Sequence, residues 1–447
     1  MDTCEHPQAS NSQPSVVAPS IATARRRATA GLGCQHGPFV AFISKVSVVK
    51  IQPADCSNTL SLMRRRPSSH REKRRSPAVA VIGTRGYPSH YGGFETAIRH
   101  LAQFIAEQGI PVTVYGRRGK RESFSFGAAK VSSVPTWGID SKSLSTLSYG
   151  FFASLHCAFF GPRTALVMNV ANGFWLPILR ALGVRTAVNV DGIEWERSKW
   201  SPLGRRVFRM GAWLTARLAD ELIFDSKGIE ARWREEFSVR GTFIPYGADF
   251  PEPAALPLGL PRRGYVLLVA RLVPENTVLE FLQAVPEIVR RYPVVIVGTS
   301  GYGDDIDRQT RDLAEAHPEV HWLGHISDDG QLAALWEHCG VYFHGHSVGG
   351  TNPALVQAMA CGAPIVARDT VYNREVLESA AVYVVPDSTA ISAAINALMA
   401  DTRLQHENSA LGRARASSFY QWRDVNASYL GLLRSLWEQG TRSSHKR

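Results

Sequence analysis

The chain is poor in cysteine and has no long uncharged apolar run, and each scarcity argues against a class of protein. It has 447 residues but only six cysteines, and none of them forms a CxxC pair. This pattern argues against a disulfide framework or a zinc site and indicates reduced thiols in the cytosol. No run of about 18 or more apolar residues lacks charges or helix breakers, so a membrane-spanning helix is not predicted. The longest apolar stretch, residues 149–160, is interpreted as a buried or interfacial helix.

Three widespread catalytic signatures are also missing. The sequence contains no G-x-S-x-G nucleophile elbow, no Walker A loop and no H-E-x-x-H motif. His344 and His346 would face one side of an extended segment, but no third ligand accompanies them, so no metal site is predicted. Any activity must therefore lie in loops of another kind.

Most of the excess positive charge lies at the amino terminus. Of the formal net charge of +11, residues 1–77 contribute 12 Lys and Arg against 4 Asp and Glu. These residues have no helix or strand periodicity, and they end in two arginine-rich clusters, so a disordered basic arm is predicted. Two alternatives stay open: an overlong start, with Met63 as the true initiator, or contact of the clusters with a membrane surface or nucleic acid. The rest of the chain is nearly balanced in charge, and no nucleic-acid partner is expected for it.

Residues 78–250 have the pattern of a doubly wound α/β domain. The apolar run Ala78–Ile82 predicts a buried parallel strand, a glycine-rich loop follows it, and residues 97–108 have helical spacing. Further strands are predicted at residues 111–115, 165–170, 186–190, 221–224 and 242–245. Open α/β sheets bind ligands at the carboxyl ends of their strands, and a helix that begins there favours an anion.

A proline-rich linker, residues 251–263, leads to a second domain of the same kind. Residues 264–420 begin with a strand at 265–270, and further strands are predicted at residues 293–297, 341–343 and 364–367. Residues 421–447 are expected to contain a helix that crosses back to the first domain. The predicted fold class is therefore α/β, with two Rossmann-like doubly wound domains that face a cleft.

The loop before the predicted helix at residues 354–360 is the best anion cradle in the sequence. Gly349 and Gly350 permit a nest of backbone N–H groups, and Thr351 and Asn352 add side-chain donors unless they only cap the helix. Arg271 follows a strand of the same domain and is expected to reach this cradle, where it would bind a diphosphate with two hydrogen bonds. An ordinary ion pair is the alternative role for Arg271.

A predicted helix over residues 205–219 has a basic face that includes Trp213. A solvated face and a membrane-surface patch are both compatible with this pattern.

The ordered motifs resemble those of a known family. The stretch Gly349–Gly362 (GGTNPALVQAMACG), together with the two-domain plan, is similar to the GT-B glycosyltransferases of family 4, over about residues 78–420. The resemblance is closest to a bacterial rhamnosyltransferase-like subgroup. The matching motifs are GTRGYPSHYGGFET (83–96), NVDGIEWERSKW (189–200), FDSKGI (224–229), IPYGAD (244–249), ARLVPEN (270–276), SVGGTNP (347–353) and NREVL (373–377).

The resemblance implies transfer of a sugar from a nucleoside diphosphate sugar, with retention of configuration and without a cofactor or a bound metal. Arg271 and the Gly349-Gly350-Thr351 backbone would stabilise the departing diphosphate, and Gly92 and Gly93 would approach it from the first domain. Asp191 and Glu194 would orient the acceptor hydroxyl or stabilise positive charge on the donor sugar. A turn aspartate and a surface glutamate are the alternative.

Two departures from the family pattern concern donor binding. Members usually carry two glutamates eight positions apart, whereas this chain has Gly349 and Gln357 there. Gln357 would still hydrogen-bond the donor ribose but carries no charge. The lysine that usually follows the arginine is replaced in that region by Asn276, so diphosphate stabilisation would rest more heavily on Arg271.

The predicted function is that of a hexosyltransferase which moves a hexose or deoxyhexose, rhamnose included, to a lipid-linked or saccharide acceptor in surface polysaccharide synthesis. The expected location is the cytoplasm, with peripheral contact at the inner face of the membrane. A non-catalytic homologue that binds nucleotide sugars and a GT-B epimerase are the alternatives.

Overall fold

Two mostly parallel sheets carry the fold. The computed structural model describes residues 77–89, 93–141, 144–197, 200–253, 255, 259–301 and 305–445. The predicted basic arm, apart from Pro77, lies outside these residues, and so does Gly92.

The first sheet has eight strands in the order β3-β4-β2-β1-β5-β6-β7-β8, and β3, at its edge, is the antiparallel one. Its strands are β1 (Val79–Ile82), β2 (Val112–Gly116), β3 (Glu122–Phe126), β4 (Ala129–Pro135), β5 (Thr164–Met168), β6 (Arg185–Asn189), β7 (Glu221–Phe224) and β8 (Thr242–Phe243). Its helices are α1 (Gly93–Glu107), α2 (Ser145–Phe160), α3 (Leu176–Ala181), α4 (Pro202–Leu218) and α5 (Lys227–Phe237).

The second sheet has six parallel strands in the order β11-β10-β9-β12-β13-β14. They are β9 (Val266–Val269), β10 (Val294–Val297), β11 (Val320–Gly324), β12 (Val341–His344), β13 (Ile365–Arg368) and β14 (Val382–Val384). The helices of this half are α6 (Val278–Ile288), α7 (Asp305–Ala316), α8 (Asp329–His338), α9 (Pro353–Ala360), α10 (Val371–Leu377), α11 (Ser388–Ala400) and α12 (Thr402–Phe419), and α13 (Trp422–His445) ends the described chain.

Helices cover both faces of each sheet, which is why the central strands are apolar throughout. In β1, Val79 and Val81 belong to one buried cluster, whereas Ala80 and Ile82 belong to another. In β9, Leu267 belongs to one buried cluster, whereas its neighbours Val266 and Leu268 belong to another. A parallel strand buried on both sides loses the alternation of polar and apolar residues that a half-exposed strand shows. The predicted fold class is confirmed.

The chain crosses between the two halves twice. It leaves the first half after β8 and returns in α13, whose Tyr429, Leu433 and Leu436 pack in the same cluster as Val81 of the first sheet. The two crossing segments lie side by side, because the Ala248 N–H donates to the Tyr420 carbonyl over 2.7 Å. Within the part of the chain that is described, no helix is both long and apolar enough to span a bilayer.

Candidate functional site

The loops that follow β6, β7 and β12 meet between the two sheets. Gly192, after β6, lies against Gly349, after β12, so that a Cβ added at Gly192 would be 3.8 Å from the Gly349 Cα. The Thr351 N–H donates to the Asp225 carbonyl over 3.2 Å, and the Thr351 hydroxyl donates to the same oxygen. The carboxyl ends of the two parallel sheets therefore face one another across a cleft, as ligand-binding α/β folds require.

Asp191 stands on a tight turn at this edge of the first sheet. Its φ of 68° lies in the left-handed region, and its N–H donates to the Asn189 side chain over 3.0 Å. The Asn169 side-chain amide donates to Asp191 Oδ2 over 3.2 Å. Asn189 is itself fixed by a 2.7 Å hydrogen bond to the Tyr429 hydroxyl of α13. The returning helix thus supports the turn that presents Asp191.

Glu194 lies close by but is held in a different way. It is 4% exposed, and its carboxylate forms an ion pair of 2.7 Å with Arg197 and accepts a hydrogen bond from the Trp200 indole over 3.1 Å. Both carboxylate oxygens are engaged, which favours a structural role. The acceptor-orienting role stays a prediction for Glu194.

Arg197 was assigned no role in the sequence analysis. Burial lowers its pKa, but the carboxylates of Glu194, Asp191, Glu275 and Asp225 outweigh burial and raise it. Glu275 belongs to the second half of the chain, so acidic groups of both halves act on the charge of Arg197. Its sequence signal was its position three residues after Glu194 in the quoted motif.

Asp225 is the second residue that the sequence analysis missed. It follows β7, is 2% exposed, and leaves no room for a side chain at Gly350. Burial raises its pKa well above the ordinary value, and the nearby Asp191 carboxylate raises it further. A buried carboxyl with a raised pKa therefore lies directly behind the glycine loop. Only its place at the end of a buried strand, in the motif FDSKGI, could have indicated it.

The glycine loop has the backbone character of an anion cradle. Gly349 has a φ of 105°, which glycine adopts without strain. Thr351 is 3% exposed and bound to Asp225, and the Asn352 side chain caps α9 by accepting from the Ala354 N–H over 3.0 Å. Because these side chains are used inside the protein, donor binding at this loop would fall mainly to its backbone.

Arg271 follows β9 and has an exposed side chain. Its carbonyl accepts from the Asn276 side chain and from the Val273 N–H, both over 2.9 Å, so Asn276 braces the turn. Burial, followed by the charges of Arg271 and Arg197, lowers the pKa of His346 to about 3. The positive charges of Arg271 and Arg197 thus both act on the His346 ring. Gly93 is the first residue of α1, and its donor-binding role stays a prediction.

Gln357 lies on α9, on the side of the interdomain crossing. Its Oε1 accepts from the Asp249 N–H over 3.0 Å, and its Nε2 donates to the Asp249 carbonyl over 2.8 Å. Ribose binding by Gln357 stays a prediction, and it would require the amide to leave these two partners.

Hydrogen bonds beside the cleft also join the two halves of the chain. Glu375 of α10 accepts hydrogen bonds from the Ser226 hydroxyl and from the N–H groups of Lys227 and Gly228, over 2.7, 2.7 and 3.0 Å. A carboxylate of the second half therefore caps α5 of the first half, where the helix dipole favours negative charge.

The rings of His344 and His346 stack with their centroids 4.4 Å apart. Within the described ranges, no group of three or more His, Cys, Asp and Glu could hold a metal ion.

Comparison with protein families gives one match in each half of the chain. Residues 263–401 match the family described as Glycosyl transferases group 1, and residues 167–249 match a domain of unknown function, DUF1972.

Curated relatives of the chain are mannosyltransferases. One is the GDP-mannose-dependent alpha-(1-6)-phosphatidylinositol monomannoside mannosyltransferase of Mycolicibacterium smegmatis, 28% identical over 58% of this chain and 72% of the relative. Another is the O-antigen chain mannosyltransferase B of Escherichia coli, 26% identical over 39% of this chain and 46% of the relative. The chain thus spans more than two thirds of the first relative and about half of the second.

Solved structures share the fold. Sucrose-phosphate synthase from Thermosynechococcus elongatus superposes with a TM-score of 0.70 at 19% identity, over 81% of this chain and 100% of the other. HepE from Anabaena, solved in complex with UDP, superposes with a TM-score of 0.60 at 18% identity, over 80% of this chain and 100% of the other. Residues 263–401 are accordingly a group 1 glycosyl transferase domain within a GT-B fold, and the chain is a glycosyltransferase.

Proposed function

We propose that the chain transfers a hexosyl group from a nucleoside diphosphate sugar to a lipid-linked or saccharide acceptor, with retention of the anomeric configuration. The observation that carries the proposal is the contact of the group 1 domain's Gly349–Asn352 loop with the acidic loops after β6 and β7. One wall of the cleft offers N–H groups and Arg271, and the other offers Asp191. Departure of a diphosphate develops negative charge on the leaving group and positive charge on the sugar, and these walls match both charges.

Arg271 and the loop backbone are the proposed partners of the diphosphate. The side chain of Arg271 is exposed while its turn is fixed by Asn276, so the guanidinium is accessible on a rigid base. A planar guanidinium binds two phosphate oxygens at once, which suits a diphosphate better than a single-point cation does.

Mannose is the first donor sugar to test. Both curated relatives are named mannosyltransferases, and one name specifies GDP-mannose. A rhamnosyl donor is the second candidate, on the strength of the sequence resemblance. The base of the nucleotide should also be varied in the assay, since HepE was solved with UDP.

The arginines of the first half of the chain suit a phosphorylated acceptor. Arg117 follows β2, and its pKa is lowered first by burial and then by the neighbouring charge of Arg85. Arg118 adds a third guanidinium and is paired with Asp140 at 3.1 Å. A phosphate would stabilise a half-buried guanidinium whose pKa is lowered by burial and by a neighbouring arginine, and the relative named above acts on a phosphatidylinositol monomannoside.

Peripheral contact with the inner face of the membrane is proposed through α4. One side of this helix exposes Leu203, Met210 and Trp213 together with Arg206, and Arg205 is exposed on the adjoining side. Arg217 lies over the Trp213 ring, 5.2 Å from its centroid. Exposed apolar side chains among arginines are suited to an anionic lipid surface, on which a lipid-linked acceptor would be presented.

A transfer assay tests the proposal. The full chain is incubated with GDP-mannose, UDP-glucose or dTDP-rhamnose and with vesicles that carry phosphatidylinositol or a polyprenyl diphosphate sugar. We expect nucleoside diphosphate release that depends on the acceptor, and a glycolipid product whose anomeric configuration, read by NMR, equals that of the donor. Donor epimerised without acceptor, an inverted product, or absence of both nucleotide binding and transfer would each contradict the proposal.

A further inference from the structure

Gln357 makes a contact that an acidic residue could not make. Its amide accepts from the N–H and donates to the C=O of one residue, Asp249, over 3.0 and 2.8 Å. An ionised glutamate has no hydrogen to donate, so it would keep the first bond and place a carboxylate against the carbonyl. The identity of this side chain is therefore matched to the backbone that it binds.

Asp249 lies at the point where the chain passes between the two halves. The preceding residue, Ala248, donates its N–H to the Tyr420 carbonyl over 2.7 Å and pairs with Gln421. Ala248 and Tyr420 are both buried, and the Trp422 ring fills the space that a side chain at Gly247 would need. The outgoing and the returning segments thus form one packed hinge, and Gln357 binds it from the second half.

α9 connects this hinge rigidly to the glycine loop. The helix is capped by Asn352, the last residue of the loop, and Gln357 follows five residues later, about 7.5 Å along the axis. Leu355, Val356 and Ala358 are fully buried, so the helix moves with the second domain as one body. The angle at which the loop meets the first half is consequently set where Gln357 binds Asp249.

We propose that Gln357 is a positioning residue which fixes the angle between the two domains, and that it does not bind the ribose of the donor. Through α9 it places the Gly349–Asn352 loop against Asp225 and beside Asp191. Only the kinetic consequence of this inference rests on the proposed function, because the hinge contact exists without substrate.

Hydrogen exchange of the full chain without ligand tests the hinge directly. Gln357→Met keeps the length of the side chain and removes both hydrogen bonds. We expect faster amide exchange in the peptide that spans residues 246–250, by roughly fivefold, which is the factor that corresponds to one lost hydrogen bond. Gln283→Met, at an exposed position of α6, is the matched control and should leave this peptide unchanged. Unchanged exchange in Gln357→Met would overturn the proposal whatever the activity of the protein.

Gln357→Glu then separates the two roles in the transfer reaction. A hinge role predicts a kcat about tenfold lower, with the KM for the donor within about twofold of the parent value, because only the closed arrangement is lost. A ribose role predicts the opposite, a lower donor KM with kcat maintained, since an ionised glutamate accepts the ribose hydroxyls more strongly. Faster exchange in a protein that transfers no sugar would support the hinge and count against the proposed function alone. A lower donor KM at full kcat would overturn the hinge.

Discussion

Arg271 and Asp191 are the two charged side chains whose surroundings suit direct work on a substrate. Arg271 is exposed on a braced turn, and Asp191 is presented by a turn that Asn169 and Asn189 support. Glu194, in contrast, is buried against Arg197 and Trp200. We therefore expect the two acids of this motif to have different tasks, which would follow from their partners and not from their spacing.

Replacement of Arg271 by alanine should lower kcat by about 100-fold or more, since one preformed partner of the departing diphosphate would be lost. The fold should persist, because the turn is held through the Arg271 carbonyl and not through its side chain. Steady-state kinetics and thermal unfolding of Arg271→Ala measure both effects. Arg291→Ala removes an exposed arginine elsewhere in the same domain and should change neither quantity. Full turnover in Arg271→Ala would rule out the diphosphate role.

Amide substitution should separate Asp191 from Glu194. Asparagine tolerates the left-handed backbone of position 191, so Asp191→Asn should fold normally and lose about 100-fold in turnover. Glu194→Gln should instead destabilise the fold by about 3 kcal/mol, because it removes the charge that forms the ion pair with a buried guanidinium. Urea unfolding and kinetics of both variants test the contrast. Equal stability losses in the two would refute it.

At the scale of helices and strands, the apolar runs of the central strands predicted their positions well. The predicted strand at residues 221–224 coincides with β7, and the one at residues 293–297 lies within one residue of β10. The hairpin of β3 and β4 and the two edge strands of the second sheet, β11 and β14, were not predicted. β3 has no fully buried residue, and in β11 exposed residues alternate with buried or half-buried ones, so neither strand has a continuous apolar run. Edge strands bury one face only, and short alternating segments are weak signals beside long buried ones.

The motifs include the loops that meet between the two sheets, but they did not predict which side chains would be in contact there. The contact between Asp225 and Thr351 joins residues 126 positions apart, and the contact between Gln357 and Asp249 joins residues 108 apart. Such contacts depend on the angle between two domains, which no local pattern encodes. Resemblance to a family likewise suggested ribose for Gln357 and gave no sign of the hinge.

The exposed side of α4 should bind anionic membranes. Two arginines near a surface contribute about 1 kcal/mol each, so Arg205→Ala combined with Arg206→Ala should weaken binding to phosphatidylglycerol vesicles by about 30-fold. Arg413→Ala combined with Arg423→Ala removes the same charge from exposed positions on other helices and is the control. Vesicle sedimentation at low and at physiological salt gives both affinities. An equal loss in the two double variants would show that only net charge matters and would remove α4 as the docking surface.

For the molecule as a whole, buried charge is concentrated where the two halves meet. Asp225 contacts the Gly350 loop, Glu375 caps α5 from the other half, and Arg197 lies among four carboxylates. The closed arrangement is thus built from ionisable groups and not from an apolar interface alone. Its stability should therefore depend on pH.

Asp225 contributes a pH dependence of known sign. Its pKa is raised by burial first, then by Asp191 and Glu375, against the opposing effects of a backbone hydrogen bond and Arg197. The folded protein therefore keeps a proton that the unfolded chain releases, so the stabilisation is complete below the pKa of the unfolded carboxyl and is lost as the pH rises towards the folded value. Thermal unfolding midpoints of the parent should fall from about pH 5 to about pH 8 more steeply than those of Asp225→Asn, which carries no ionisable group there. Asp312→Asn, on the exposed side of α7, should keep the parental slope. If Asp225→Asn and the parent have the same slope, the pKa of the buried carboxyl is not raised in the folded protein, and this account of the pH dependence is refuted.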